Sequence, residues 1–162
     1  MPRRKRVLKR PTILEDRTFN SILVAKLINR IMWDGKKTIA SKIVNEALTT
    51  ASEDLQITPI EVLELALTNV KPQIEVQSMR VGGANYQVPV EPRPERSLRL
   101  GLTWIVNSAR KVKGKKMSTK LKQILIESYK GEGAAVSKKN DVHRTASGNK
   151  AFAHFALRRK KQ

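Results

Sequence analysis

Apolar side chains recur along this chain with helical spacing, and one segment breaks the pattern. Over residues 20–33, Val24, Leu27, Ile28 and Ile31 fall on one stripe at intervals of three and four. That spacing predicts a first helix, which Gly35 stops. Lys26, Arg30 and Trp33, spaced four and three, mark its opposite face. Residues 38–52 hold Ala40, Ile43, Val44, Ala47, Leu48 and Ala51 in the same register and predict a second helix. Thr58-Pro59-Ile60-Glu61 then has the form of a capping box with proline at the first helical position. Leu63, Ala66, Leu67 and Val70 form the stripe of this third helix, and Lys71-Pro72 ends it.

The period changes from helical to alternating at Gln73. Ile74 and Val76 lead in, Tyr86, Val88 and Val90 lead out, and Gly82-Gly83 lies between them. A two-residue glycine loop suits the positive φ angles of a tight primed turn, so residues 73–91 predict a β-hairpin. Its arms are too polar for a core sheet, and one two-stranded ribbon has little stability alone. The expectation is a finger projecting from a helical body.

Helical spacing resumes at Pro92-Arg93-Pro94-Glu95, where Glu95 suits the positive end of the helix dipole. Leu98, Leu102, Ile105 and Ala109 make one stripe of this fourth helix, and Leu100 with Trp104 makes another, which predicts a central position in the domain. Arg96, Arg99, Thr103, Asn107 and Arg110 form the one polar strip left over. A fifth helix spans about 117–130, with Met117, Leu121, Ile124, Leu125 and Tyr129, until Gly131 and Gly133 break it. A last helical segment starts at about 134 or 142 and runs to 156. The fold class predicted is mainly α, a six-helix domain with a protruding two-stranded β-hairpin and basic terminal extensions. Residues 1–17 form a basic arm, 18–156 the helical domain and 157–162 a basic tail.

Charge names the class of partner. With 33 Lys and Arg against 14 Asp and Glu, the net charge is +19 over 162 residues, an excess that favours a polyanion. A 40% hydrophobic content still permits a real core, which separates this chain from a disordered basic tail. The charge is clustered. Residues 1–10 carry six basic residues and no acid, 110–122 carry seven and no acid, and Arg158-Arg159-Lys160-Lys161 adds four. Residues 43–76 hold Glu46, Glu53, Asp54, Glu61, Glu64 and Glu75 against a single lysine. Such a map predicts a binding surface with a distinct back side, and nucleic acid is the leading partner. No apolar run reaches the ~18 residues of a membrane span, and the basic N-terminus lacks the apolar core of a secretory signal. An intracellular location is expected.

Catalytic constellations are missing. Without cysteine there are no disulfides, thiolate nucleophiles or thiolate zinc ligands. His143 and His154 lie 11 apart, without metal-ligand or triad spacing. Gly131-Glu132-Gly133 looks like part of a phosphate loop, but no Gly-Lys-Ser/Thr follows, so a helix cap and turn is the better reading. No enzyme activity and no cofactor are expected. Lysine and arginine can neutralise phosphates with release of counterions. Aromatic residues are only 4% of the chain, which argues against extended base stacking. Trp33 and Tyr86 are the best stacking candidates.

A family resemblance enters through particular motifs. Val81-Gly82-Gly83-Ala84-Asn85-Tyr86-Gln87-Val88-Pro89-Val90 followed by Arg93-Pro94-Glu95-Arg96 resembles the signature of the seventh protein of the bacterial-type small ribosomal subunit. Met1-Pro2-Arg3-Arg4, Asp34-Gly35-Lys36-Lys37, Asn69-Val70-Lys71-Pro72, Gly131-Glu132-Gly133-Ala134-Ala135-Val136 and Asn149-Lys150-Ala151-Phe152-Ala153-His154 agree in order, so the resemblance covers essentially the whole chain.

The resemblance implies a structural ribosomal protein that binds the 3′ major domain of 16S-type rRNA and nucleates assembly of the subunit head. It also implies a place at the subunit interface, near the exit-site tRNA and the mRNA path, beside small-subunit proteins nine and eleven. The compartment implied is the cytoplasm, or an organellar stroma or matrix. The implied rRNA contacts are Arg3, Arg4, Lys5, Arg6, Arg10, Lys26, Arg30, Lys36, Lys37, Arg80, Arg93, Arg96, Arg99, Arg110, Lys111, Lys113, Lys115 and Lys116. Those near tRNA or mRNA are Arg80, Gly82, Gly83, Asn85, His143, Arg144, Lys150 and His154. Relatives carry more basic side chains on the incoming hairpin strand, where this chain has Gln77 and Met79. The finger is therefore expected to be placed by shape and by the basic body behind it. The physical alternative is a winged-helix-like DNA-binding regulator, which would need a base-reading recognition helix. The third helix carries Glu61 and Glu64 instead, a poor match to a major groove.

Overall fold

The computed structural model describes residues 12–155, and the basic arm through residue 11 and the tail from 156 lie outside that range. Six helices and one hairpin follow in the order the periodicities predict. They are α1 (Ile22–Ile31), α2 (Lys37–Leu55), α3 (Pro59–Val70), β1 (Glu75–Val81), β2 (Ala84–Val90), α4 (Pro94–Lys111), α5 (Met117–Tyr129) and α6 (Gly133–Gly148), with a 3-10 turn at Lys150–Phe152.

Local chemistry accounts for the ends of these elements. The Ser21 hydroxyl accepts the Leu23 N–H and caps α1. At α3 the capping box is complete: Glu61 N–H donates to the Thr58 hydroxyl and Thr58 N–H donates to the Glu61 carboxylate, both at 3.3 Å. Helix α1 stops earlier than its spacing predicts. Met32 turns extended (ψ 135), and the Asp34–Gly35 turn follows with positive φ at both residues. Trp33 therefore lies beyond the helix and does not continue the Lys26–Arg30 face.

The core is built from the predicted stripes. Val24, Leu27, Val44, Leu48, Leu63, Leu67, Ile105, Leu121 and Leu125 are all fully buried or nearly so. Helix α5, rather than α4, is the centre, packing against α2, α3, α4 and α6. Helix α4 buries Leu102, Ile105, Val106 and Ala109, whereas its second stripe, Leu100 and Trp104, lines an open cleft with Pro72, Val76 and Val142. The apolar wrap of α4 thus serves two contacts, one with the core and one beneath the hairpin.

The hairpin is antiparallel, with Glu75 opposite Val90 and Val81 opposite Ala84. Gly82 (φ 58) and Gly83 (φ 89) make the turn in the left-handed region their lack of a Cβ permits. Val88 is fully buried, and Tyr86 packs on Phe152 and Phe155 at centroid distances of 5.0 and 5.4 Å. The lower part of the finger is seated on α6 and the segment after it, and its tip from Gly82 to Asn85 is exposed.

Candidate nucleic-acid interface

Helix α1 lies along α4, and three contacts set the pairing. Arg30 donates through Nη2 to Thr103 Oγ1. Arg110 donates to the Ile31 carbonyl at 3.2 Å, and its guanidinium sits 5.3 Å from the centroid of the Trp33 ring. This packing opens a groove of about 770 Å³ whose lining includes Lys26, Arg30, Arg93, Arg96 and Arg99. Thr12 and Ile13, the first described residues, line the same groove. Five of the expected rRNA contacts are thus gathered onto one concave face. One acid, Glu95, lies among them.

At the other end of this face the turn after α1 exposes Lys36 and Lys37. Arg110 and Lys111 close α4 there, and the exposed Lys113, Lys115 and Lys116 follow. Five acids lie on other helices: Glu46, Glu53 and Asp54 on α2, and Glu61 and Glu64 on α3, all exposed. Asp54 accepts from Lys122 at 2.8 Å. None of these five acids lines the groove. Arg3, Arg4, Lys5, Arg6 and Arg10 lie outside the described residues.

Arg96 differs from its neighbours in the groove. Its Nη2 and Nε donate to the Glu75 carboxylate at 2.6 and 3.1 Å, and this bidentate bond raises its pKa above the ordinary arginine value. Glu75 is 14% exposed and is the first residue of β1. Arg96 thus fastens the hairpin to α4 with the fork that sequence assigns to phosphate. A double-mutant cycle on Arg96→Ala and Glu75→Ala, read by urea unfolding, should give a coupling of about 1 kcal/mol, because the arginine is partly solvated. Additive losses would show that the pair contributes nothing.

Three further ties hold the hairpin root. Ser97 donates its hydroxyl to the Pro72 carbonyl at 2.7 Å, and Lys139 donates to the Asn69 carbonyl at 2.6 Å. The Gln73 N–H donates to His143 Nε2 at 3.1 Å. Asn69 in turn donates to the Ser128 and Tyr129 carbonyls, locking α3 to the end of α5. Ser97 and Lys139 were not singled out by the sequence, and Glu75 was read there only as one of the acids between the basic clusters, because each acts on a partner distant along the chain. His143, expected near tRNA, is half-buried at this root.

Burial, followed by the adjacent Lys139 ammonium, pushes the His143 pKa below its ordinary value near 6.5. Only the neutral ring can accept the Gln73 N–H. The stabilisation is fully present above about pH 6.5 and is lost as pH falls through the lowered value. An NMR titration should give His143 a midpoint below about 6.5, with the Gln73 amide resonance moving at the same midpoint. A Gln73 amide that ignores the titration would remove this contact.

The remaining residues expected near tRNA fall in two places. Arg80 pairs with Asn85 directly across the hairpin, and both are exposed beside the glycine turn. Arg144 is exposed on α6, Lys150 opens the 3-10 turn, and His154 packs on Phe155 with its Nδ1 2.8 Å from the Ala151 carbonyl. The Tyr86–Phe152–Phe155 cluster links these two places, which occupies Tyr86 within the protein. The three-residue spacing of Phe152 and Phe155 gave a local hint, but nothing local tied it to Tyr86. Trp33, in contrast, is 67% exposed. Among the described residues no group of three or more His, Asp and Glu could hold a metal, and no helix is long and apolar enough to cross a membrane.

Comparison with known proteins decides the family. The family described as Ribosomal protein S7p/S5e matches residues 2–150. The chain belongs to this family. It is 52% identical over 155 residues to small ribosomal subunit protein uS7 of Caldanaerobacter subterraneus subsp. tengcongensis, covering 96% of this chain and 99% of the relative. It is 51% identical over 153 residues to that of Thermotoga maritima, covering 94% and 98%. That of Buchnera aphidicola is 52% identical over 155 residues, covering 96% and 99%. As a member of the S7p/S5e family the chain is a structural protein of the small ribosomal subunit, not an enzyme. The winged-helix alternative loses its ground as well. Helix α3 buries Val62, Leu63, Ala66, Leu67 and Val70 and exposes Glu61 and Glu64, leaving no basic face to read a groove.

Proposed function

We propose that the α1–α4 groove is the principal contact with small-subunit rRNA, gripping phosphates of the 3′ major domain and nucleating assembly of the subunit head. The observation that carries this reading is the convergence of Lys26, Arg30, Arg93 and Arg99 on one concave face. A curved strip of cations matches a bent phosphate backbone, and arginine forks across two phosphate oxygens. Lys36, Lys37, Arg110, Lys111, Lys113, Lys115 and Lys116 extend the contact at the far end of the face.

The exposed hairpin tip, with Arg80, Gly82, Gly83 and Asn85, then serves the exit-site tRNA and the mRNA path. Arg144, Lys150 and His154 flank it. Neighbouring small-subunit proteins nine and eleven complete the surroundings of this domain. A chemical footprint of the full chain on naked small-subunit rRNA tests the reading. Protection should be confined to the 3′ major domain, and protection elsewhere or none at about micromolar protein would overturn it.

A further inference from the structure

We propose that an unpaired RNA base stacks on the indole of Trp33, making the turn after α1 a base-binding site beside the phosphate-gripping face. The inference rests on the rRNA reading above and adds a contact of a different kind. An isolated exposed apolar residue carries little meaning by itself. The setting of Trp33 carries more.

Its ring is 67% exposed, second only to Leu14 among the large apolar side chains of the described residues. The turn that presents it is ordered by its own backbone: the Lys36 N–H donates to the Trp33 carbonyl at 2.9 Å. Arg110 lies 5.3 Å from the ring centroid and is itself held by the Ile31 carbonyl, so the cation over the ring is fixed in place. Lys36 and Lys37 are exposed in the same segment, with Asp34 as the one opposing charge.

An indole with a cation against it and two lysines alongside offers a base its π-face and the adjoining phosphates their counter-charges. A protein partner would meet a rim of cations around that ring, which favours nucleic acid as the occupant. Any base can stack in this way, so the site adds affinity with little choice of sequence. The contact differs from the groove in one measurable respect: stacking releases no counterions.

The chain has two tryptophans, and Trp104 is half-buried beneath the hairpin. A Trp104→Phe protein therefore reports on Trp33 alone. Adding naked 3′ major-domain RNA should quench its emission in step with binding measured by RNA anisotropy. In the otherwise natural chain, Trp33→Ala should weaken binding about tenfold with an unchanged salt slope, and Trp33→Tyr should recover most of the loss. Natural affinity in Trp33→Ala, or unquenched emission at saturating RNA, overturns the stacking site and leaves the groove reading intact. Loss of RNA binding by the natural chain overturns both. Emission that changes only in assembled subunits, and not with naked RNA, assigns the ring to a protein neighbour and overturns the proposal.

Discussion

Replacing Lys26, Arg30, Arg93 and Arg99 together with glutamine should lower affinity for naked 3′ major-domain RNA by about a thousandfold near 0.1 M salt. Each charge-assisted bond to a phosphate is worth about 1 kcal/mol or more, and four act on one concave face. The plot of log affinity against log salt should flatten by about 3, at 0.7–0.9 for each phosphate that is no longer neutralised. Arg96 is left in place because its guanidinium is held by Glu75 at 2.6 Å, and removing it would loosen the hairpin as well.

The matching control neutralises Lys42 and Lys130, exposed cations on α2 and just after α5 that do not line the groove. Charges farther than a Debye length of about 10 Å are largely screened at this salt, so the control should change affinity and slope little. Equal losses per charge in the two proteins would mean that the net +19 binds RNA, and that the groove has no special part.

The division between what could be read along the chain and what could not follows the distance between interacting residues. The α3 cap was legible because Thr58 and Glu61 are three apart and satisfy each other locally. The hairpin was legible because Gly82-Gly83 is the chemistry its turn demands. The groove was legible only in halves. Lys26 with Arg30, and Arg96 with Arg99, each show helical spacing, but Arg30 meets Thr103 across 73 residues and no local pattern pairs them.

The same limit explains Arg96 and Tyr86. Both carry side chains suited to RNA, and both are engaged within the protein by residues of other elements, Glu75 in one case and Phe152 with Phe155 in the other. The expectation that shape and the basic body place the hairpin acquires a mechanism from these contacts. Side chains of α4 and α6 hold its root through Ser97, Arg96, Lys139 and His143.

Gly133→Ala should destabilise the fold by about 2–4 kcal/mol, a large share of the roughly 5–15 kcal/mol that holds a domain folded. Two costs combine at this position. Gly133 begins α6 at φ +87, a conformation that costs a residue with a Cβ about 1–2 kcal/mol. That Cβ would also stand 2.9 Å from the Cβ of Glu127 and 2.5 Å from its Oε2. The carboxylate end can swing away, although it would leave the 2.9 Å bond from Gln123. The Glu127 Cβ is fixed to the α5 backbone, so the overlap is relieved only by moving one helix against the other.

Gly131 supplies the comparison. It has nearly the same φ, +79, but a Cβ there meets nothing within 4 Å, so Gly131→Ala should cost only about 1–2 kcal/mol. Thermal unfolding in one buffer should separate the two, with Gly133→Ala lower by several degrees at about 2–4 °C per kcal/mol. The consequence extends beyond stability, because α6 carries Lys139 and His143 to the hairpin root. In Gly133→Ala the Gln73 amide should lose its response to the His143 titration, whereas in Gly131→Ala it should keep it. Equal stability losses in the two proteins would mean that α5 and α6 are not as closely apposed at Glu127 as the geometry requires.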